Sequence, residues 1–426
     1  MTAGGRWLRL DNAAKIYPAA SSRRWHALFR LSATLDEPVD PELLMQAQRR
    51  MVRRFPSFYV RLRRGMFWYY LEGTDACAPV EADGESPCLP LSRREARGGL
   101  CLRVRCWDRR IAVEFFHVLT DGTGGLCFLK TLVAEYLTLR YGARIPRGDG
   151  VLDCGEPPRP EELADSFLEN AGDVAVDRSE ADAYHLSGDL EPDGFIRLTC
   201  ASMPAEQVRE RARALGVSVT TYLTALLIDA GCELQQRDGI ARRSRRPVKV
   251  CVPVNLRPFF KSGTLRNFAS YVNPGVDARL GPYTIEEIAQ AVHHHLGAEA
   301  TAKRLGAKFT ANVSSERNAL LRLTPLFLKN MAMKCAFLLV GDRKTTTILS
   351  NLGPVALPKA MAAHVTRMEF VLGPLSRNPV ACAALTYGGT LYLNLTSTLR
   401  VPALEHAFLT RLVKQGVHVK VESNQR

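Results

Sequence analysis

Both halves of this 426-residue chain run through the same order, short alternating segments and then amphipathic stretches, and that order limits the fold more than any single motif does. Trp25 to Leu35 alternates as a strand does. Pro41 then opens a helical stretch in which Leu43, Leu44, Ala47 and Met51 recur at helical spacing. Residues 57–73, SFYVRLRRGMFWYYLEG, read as a hairpin turning at Gly65, and Leu100–Trp107 with Ile111–His117 as a second strand pair turning at Asp108-Arg109-Arg110. LCFLKTLVAEYLTLRYG follows as a helix with Leu126, Leu129, Leu132 and Val133 facing inward.

The second half begins with the strand FIRLTCASM, a helix started by Pro204 and another capped by Ser218 or Thr220. The strands PVKVCVPVNL and NFASYVNPGVD come next, then helical stretches over about 284–305 and 310–338. Four strands and a final helix, 402–415, close the chain. Strands and helices mixed in each half predict a two-layer α/β (or α+β) protein, not a solenoid or a bundle. A Pro-, Gly- and acid-rich stretch separates the halves. The expected division is residues 1–150, a linker over 151–194, and residues 195–426.

A net charge of +14 and a pI near 9.4 favour phosphorylated ligands, nucleic acid or an anionic membrane surface without choosing among them. Eleven cysteines, an odd number with no C-x-x-C pair, predict free thiols in a reducing compartment. The opening MTAGGRWLRLDNAAK has no apolar signal core, and no run approaches transmembrane length, so a cytoplasmic location is expected.

The sharpest local feature is FFHVLTDGTGG, residues 115–125. His117 ends an apolar strand, Asp121 follows four residues on, and a glycine-rich turn leads into a helix. A sheet can hold such a histidine rigidly, and an imidazole near pH 6.5 takes a proton from a hydroxyl or amine at neutral pH. Asp121 either orients the ring or holds the turn. By spacing alone, a strand-end histidine is more often structural than catalytic. The G-x-S-x-G elbow, the Walker loop and H-E-x-x-H are all absent, and no metal site is expected. His293, His294 and His295 point about 100° apart on a helix and cannot converge on one ion.

The motif His117-x-x-x-Asp121-Gly122 resembles that of the chloramphenicol acetyltransferase-like superfamily, which includes condensation domains, wax ester synthases and alcohol acetyltransferases. CVPVNLRPFF, NFASYVNPGVD and Ser350-Asn351-Leu-Gly-Pro resemble later segments of that family in the right order. The likeness spans nearly the whole chain and is closest to bacterial alcohol acetyltransferase-like proteins. It implies two acetyltransferase-like subdomains in a V with a tunnel between them and His117 at its middle. It implies an acyl-CoA co-substrate, no permanently bound cofactor, and direct attack by a hydroxyl or amine acceptor after His117 removes its proton. Asp121 is then structural, paired with an arginine for which Arg257 is the candidate. Gly122 keeps the tunnel open, and Ser350 or Asn351 helps hold the oxyanion.

Phe116 stands where many members have a first histidine. That weakens a peptide-condensation role and leaves open a catalytically silent binding module or a carrier-protein-dependent acyltransferase. Nucleic-acid binding is not expected, since the basic residues are dispersed; peripheral contact with a membrane surface is compatible with the charge.

Overall fold

The computed structural model describes residues 7–425 apart from 23–24, 93–94, 96–98, 177–178, 318–321 and 376. The described strands form three sheets. The smallest joins β1 (Trp7–Arg9), β3 (Val60–Arg64) and β4 (Tyr69–Gly73), the last two being the hairpin at Gly65. A five-stranded sheet runs β13-β2-β7-β6-β5, with β2 at Leu28–Leu35, β5 at Val80–Ala82, β6 at Leu102–Trp107, β7 at Arg110–Phe116 and β13 at Val365–Leu372.

The eight-stranded sheet runs β10 (Ala269–Val272), β9 (Val248–Asn255), β12 (Thr347–Pro354), β14 (Val380–Tyr387), β15 (Thr390–Ser397), β8 (Arg197–Pro204), β16 (Lys420–Ser423). Short β11 (Gly275–Val276) also pairs with β9.

The helices used below are α1 (Ile16–Ala20), α2 (Pro41–Met51), α3 (Gly122–Tyr141), α4 (Ala205–Ala214), α5 (Val219–Arg237), α6 (Ile285–Glu299), α7 (Ala302–Arg317), α8 (Leu326–Val340) and α9 (Ala403–Lys414). Two stretches read from sequence as single helices are broken. The first parts between α6 and α7 at 300–301, and the second is interrupted at Pro325, the N-cap of α8, because an interior proline lacks the N–H a helix needs.

β7 is central because almost nothing along it wants water. From Ile111 to Phe116 every residue is buried, including Glu114. That carboxylate accepts from the Cys88 N–H (2.9 Å) and from Arg103 (3.1 Å), with Arg30 at 3.6 Å, so the buried charge is neutralised where it sits. α2 and α3 pack over this sheet, and α5, α6 and α9 over the larger one, giving two separate apolar cores.

Two features tie the halves together. β13, from beyond residue 360, adds to the edge of the sheet otherwise built by residues 28–116, with Phe370 opposite Leu31. The acid- and proline-rich stretch is packed rather than loose. Its Glu162 accepts from buried Arg54, and its Phe167 joins Phe268 and Phe309 edge-on at 5.1 and 5.6 Å. Phe167, Phe268, Phe309 and Leu256 form a third small core.

Phe370 is 2 % exposed, so Phe370→Ala empties a site that no neighbouring strand can fill. A loss of about 3–5 kcal/mol is expected in denaturant unfolding; a loss below 1 kcal/mol would mean that β13 is not docked as described.

Candidate active site

His117 follows the last residue of β7, and its backbone N–H donates to the Ala27 carbonyl at 2.8 Å, which fixes its Cα beside β2. Its ring lies between aromatic neighbours. Tyr17 of α1 stacks on it with centroids 4.7 Å apart and planes 25° apart, and Phe29 meets it edge-on at 5.2 Å. Imidazole Nδ1 is 2.9 Å from Asn267 Oδ1. The Asn267 amide nitrogen donates to Asp11 Oδ2 (3.1 Å) and to the His117 carbonyl (2.9 Å).

With the amide hydrogens directed at those two acceptors, Asn267 Oδ1 can only accept. Nδ1 must therefore carry the proton, and Nε2 is left with a free lone pair. Burial pushes the imidazole below its ordinary value, partly opposed by the charge of Asp121 and the bond from Asn267. The ring is held neutral, in one tautomer, with its basic nitrogen facing away from Asn267.

Asp121 does not orient this ring. It is the N-cap of α3: one carboxylate oxygen accepts from the N–H groups of Thr123 (3.1 Å) and Gly124 (3.2 Å). The other accepts from Arg257 Nη1 and from the Phe268 N–H, both at 2.8 Å. Arg257 also donates to the carbonyls of Thr264 (2.8 Å) and Arg266 (2.6 Å) and to Asn255 Oδ1 (3.2 Å). One ion pair thus caps the helix and orders the 256–268 loop, whose Asn267 then reaches back to His117.

The glycines after Asp121 are packing devices. A Cβ on Gly122 would sit 2.7 Å from the tip of the Leu352 side chain. On Gly124 it would fall 2.1 Å from the Leu265 carbonyl oxygen, a contact backbone cannot relieve. Thr120 Oγ1 donates to that same carbonyl at 2.6 Å. Helix and loop can approach this closely only over glycine.

The structure brings His117, Asp121, Gly122 and Arg257 into one network. It treats Ser350 and Asn351 differently. Both lie on β12, and Leu352 brings that strand against Gly122. The Asn351 amide donates to Thr220 Oγ1 (3.0 Å) and accepts from Gly353 N–H (2.9 Å), so its polar groups serve the strand end. Ser350, in register with Ala383, has no such commitment to Thr220 or Gly353.

Three contributors escaped the sequence reading: Asn267, Asp11 and Tyr17. Asn267 opens the segment NFASYVNPGVD, which the sequence marks as a strand without singling out this residue. Asp11, fully buried, also accepts from the Ala14 N–H (2.8 Å) near the start of α1 and lies 3.7 Å from Arg266. Burial raises its carboxyl above the usual range, opposed by Arg266. Two surface cavities, about 530 Å³ beside Asp229, Glu233 and Arg411 and about 410 Å³ beside Arg144, Arg147 and Lys359, are lined by none of these residues.

The chain shares its overall fold with solved structures that include acetyltransferases and a condensation domain. Polyketide synthase associated protein 5 from Mycobacterium tuberculosis matches with a TM-score of 0.63 at 15 % identity, over 97 % of this chain and 98 % of its own. TRI101 of F. graminearum, complexed with coenzyme A and deoxynivalenol, gives a TM-score of 0.64 at 11 % identity, over 99 % and 100 %. The TRI3 trichothecene 15-O-acetyltransferase from Fusarium sporotrichioides gives 0.61 at 10 % identity, over 96 % and 94 %. No family model and no curated protein matches by sequence.

Removing the Asp121 carboxylate strands Arg257, whose side chain is only 11 % exposed. Asp121→Ala should cost about 3–5 kcal/mol in unfolding experiments, and Gly124→Ala about 1–3 kcal/mol through overpacking. A variant of either kind as stable as the parent would contradict the clamp.

Proposed function

We propose that this protein is an acyltransferase that moves an acyl group from a coenzyme A thioester to a hydroxyl acceptor, an amine being the alternative nucleophile. The observation that carries the reading is the His117–Asn267 pair, which leaves Nε2 as a neutral base at the end of a rigid strand. The fold supports it, being shared with an acetyltransferase and with a protein solved in complex with coenzyme A.

In this mechanism His117 Nε2 takes the proton from the acceptor hydroxyl as the oxygen attacks the thioester carbonyl. A C–O bond forms and the carbonyl electrons move onto oxygen. Ser350 is assigned as a donor to that oxyanion, since Asn351 is bonded elsewhere. The oxyanion collapses, the C–S bond breaks, and the proton on Nε2 passes to the departing thiolate. Ester and free thiol leave, and His117 returns to its starting state with no acyl-enzyme formed. While the ring is charged, Asn267 Oδ1 accepts its Nδ1–H, and Asp11 behind the amide supplies negative field. Tyr17 fixes the ring plane.

A second reading keeps the chemistry and changes the donor. One structural neighbour is named for its association with a polyketide synthase, which favours trying a thioester on a carrier protein if coenzyme A esters fail. A silent binding module would retain the fold and release no thiol from either.

Purified protein incubated with a panel of acyl-CoAs and alcohols should release free coenzyme A only when an acceptor is present. His117→Ala should lower that rate by about 10²–10⁴. Full activity in the variant would reject His117 as the base. Because burial lowers the imidazole, kcat/KM should stay level on acidification through pH 6.5 and fall only below it, as the base takes up a proton. An acidic limb centred above 6.5 would contradict the environment described.

A further inference from the structure

A large apolar surface lies on the far side of the layers that cover His117. Along α8 the exposed apolar residues are Phe327, Leu328 and Met331, followed by Ala332, Cys335 and Ala336, a stripe at helical spacing with exposed Lys334 at its side. Phe327 is 59 % and Met331 62 % exposed. Leu323, just before the helix, is 71 % exposed, and Met66, at the tip of the β3–β4 hairpin, 75 %. Helix and hairpin form one surface. The Leu326 N–H donates to the Met66 carbonyl (2.9 Å), Lys329 Nζ to the Phe67 carbonyl (3.1 Å), and the Asn330 amide to the Tyr69 hydroxyl (2.9 Å). Lys329 also stands over the Trp68 ring at 3.4 Å, which fixes that partly exposed indole at the rim.

The charge around this surface is mostly positive, its flanking carboxylates Glu316 and Glu72 being paired with Lys15 and Arg63. From Arg317 to Gly341 the sequence contains no Asp or Glu and four basic residues, Arg317, Arg322, Lys329 and Lys334. Arg64 adds an exposed cation beside Met66 on the hairpin. A second copy of the chain is a poor occupant, because a two-fold contact would bring two basic faces together while the neighbouring carboxylates, Glu316 and Glu72, are already paired. An anionic bilayer surface answers both features: its acyl boundary takes the apolar side chains and its headgroups take the basic rim, with an indole at the level between. Among the described residues no single helix is long and apolar enough to cross a membrane, so the contact is with one face.

We infer that α8 and the β3–β4 tip form a docking surface for an anionic lipid membrane, on which the protein rests without spanning it. The position gives the contact a use. α8 packs on α1, with Phe337 stacked on Trp25 at 5.3 Å, and α1 carries Tyr17, which stacks on His117. Membrane docking would thus place the histidine two packed layers from the lipid. The docking itself does not depend on the acyl-transfer reading, and it is tested without substrate.

Full-length protein would be sedimented with vesicles of phosphatidylcholine alone and of phosphatidylcholine containing one part in three phosphatidylserine. Binding should favour the anionic vesicles and weaken as salt shortens the screening length from about 10 Å at 0.1 M to about 3 Å at 1 M. The double variant Phe327→Ser/Met331→Ser should partition roughly tenfold less well or worse. The separate variant Arg322→Gln/Lys334→Gln should lose about fivefold per cation, on anionic vesicles alone. Both change only surface side chains, and thermal melts matching the parent would show that they fold. Failure to bind anionic vesicles, equal binding to both lipids, or binding untouched by both variants would overturn the inference. So would a dimer in sedimentation velocity that Phe327→Ser/Met331→Ser abolishes, which would give the face to a second copy.

Discussion

Asp121 divides its carboxylate between two tasks, and the rest of the site depends on the division. One oxygen caps α3 through Thr123 and Gly124; the other binds Arg257 and the Phe268 N–H more than 130 residues away. Because Arg257 in turn donates to the Thr264 and Arg266 carbonyls and to Asn255, the charge pair is extensively hydrogen-bonded, the condition under which a buried ion pair orders structure instead of merely costing desolvation. The residue it orders next is Asn267. Besides its direct charge effect on the ring, the aspartate of the motif acts on His117 by holding the loop that holds it.

An amide in place of a carboxylate beside Nδ1 has consequences for the base. A carboxylate would stabilise the imidazolium and raise its pKa. Asn267 fixes the tautomer while adding no charge of its own, so burial wins and the ring stays neutral at neutral pH. Asp121, and less so Asp11 one bond further away, oppose that burial by favouring the imidazolium. Asp11 itself accepts from Ala14 next to α1, so the helix that presents Tyr17 and the amide that orients His117 share one anchor.

Much of this was legible in the sequence because its causes are local. β7 reads as buried because six successive positions avoid water, the hairpin at Gly65 because apolar and basic residues alternate around a glycine, and the His117–Gly122 motif because its spacing is contiguous. Arg257 could be named only through the resemblance of CVPVNLRPFF to a family segment. What was not legible depends on contacts distant in sequence. Nothing in Val365–Leu372 marks it for the sheet of residues 28–116 rather than for its sequence neighbours. Asn267 and Asp11 are 256 residues apart, and neither sits in a pattern that names its partner. The acid-rich stretch reads as a loose linker by composition, yet Phe167 and Glu162, two residues in a polar run, anchor it.

The structure thus puts a neutral imidazole at a strand end, a clamp behind it and an apolar, basic surface two layers in front. The most direct test of the central claim is the protonation of the ring itself. ¹⁵N chemical shifts of His117 in selectively labelled protein at pH 7 should show a neutral imidazole with its proton on Nδ1, and Arg257→Met should erode that preference by freeing the loop that carries Asn267. A ring protonated on Nε2, or charged at that pH, would contradict the arrangement on which the proposed chemistry rests.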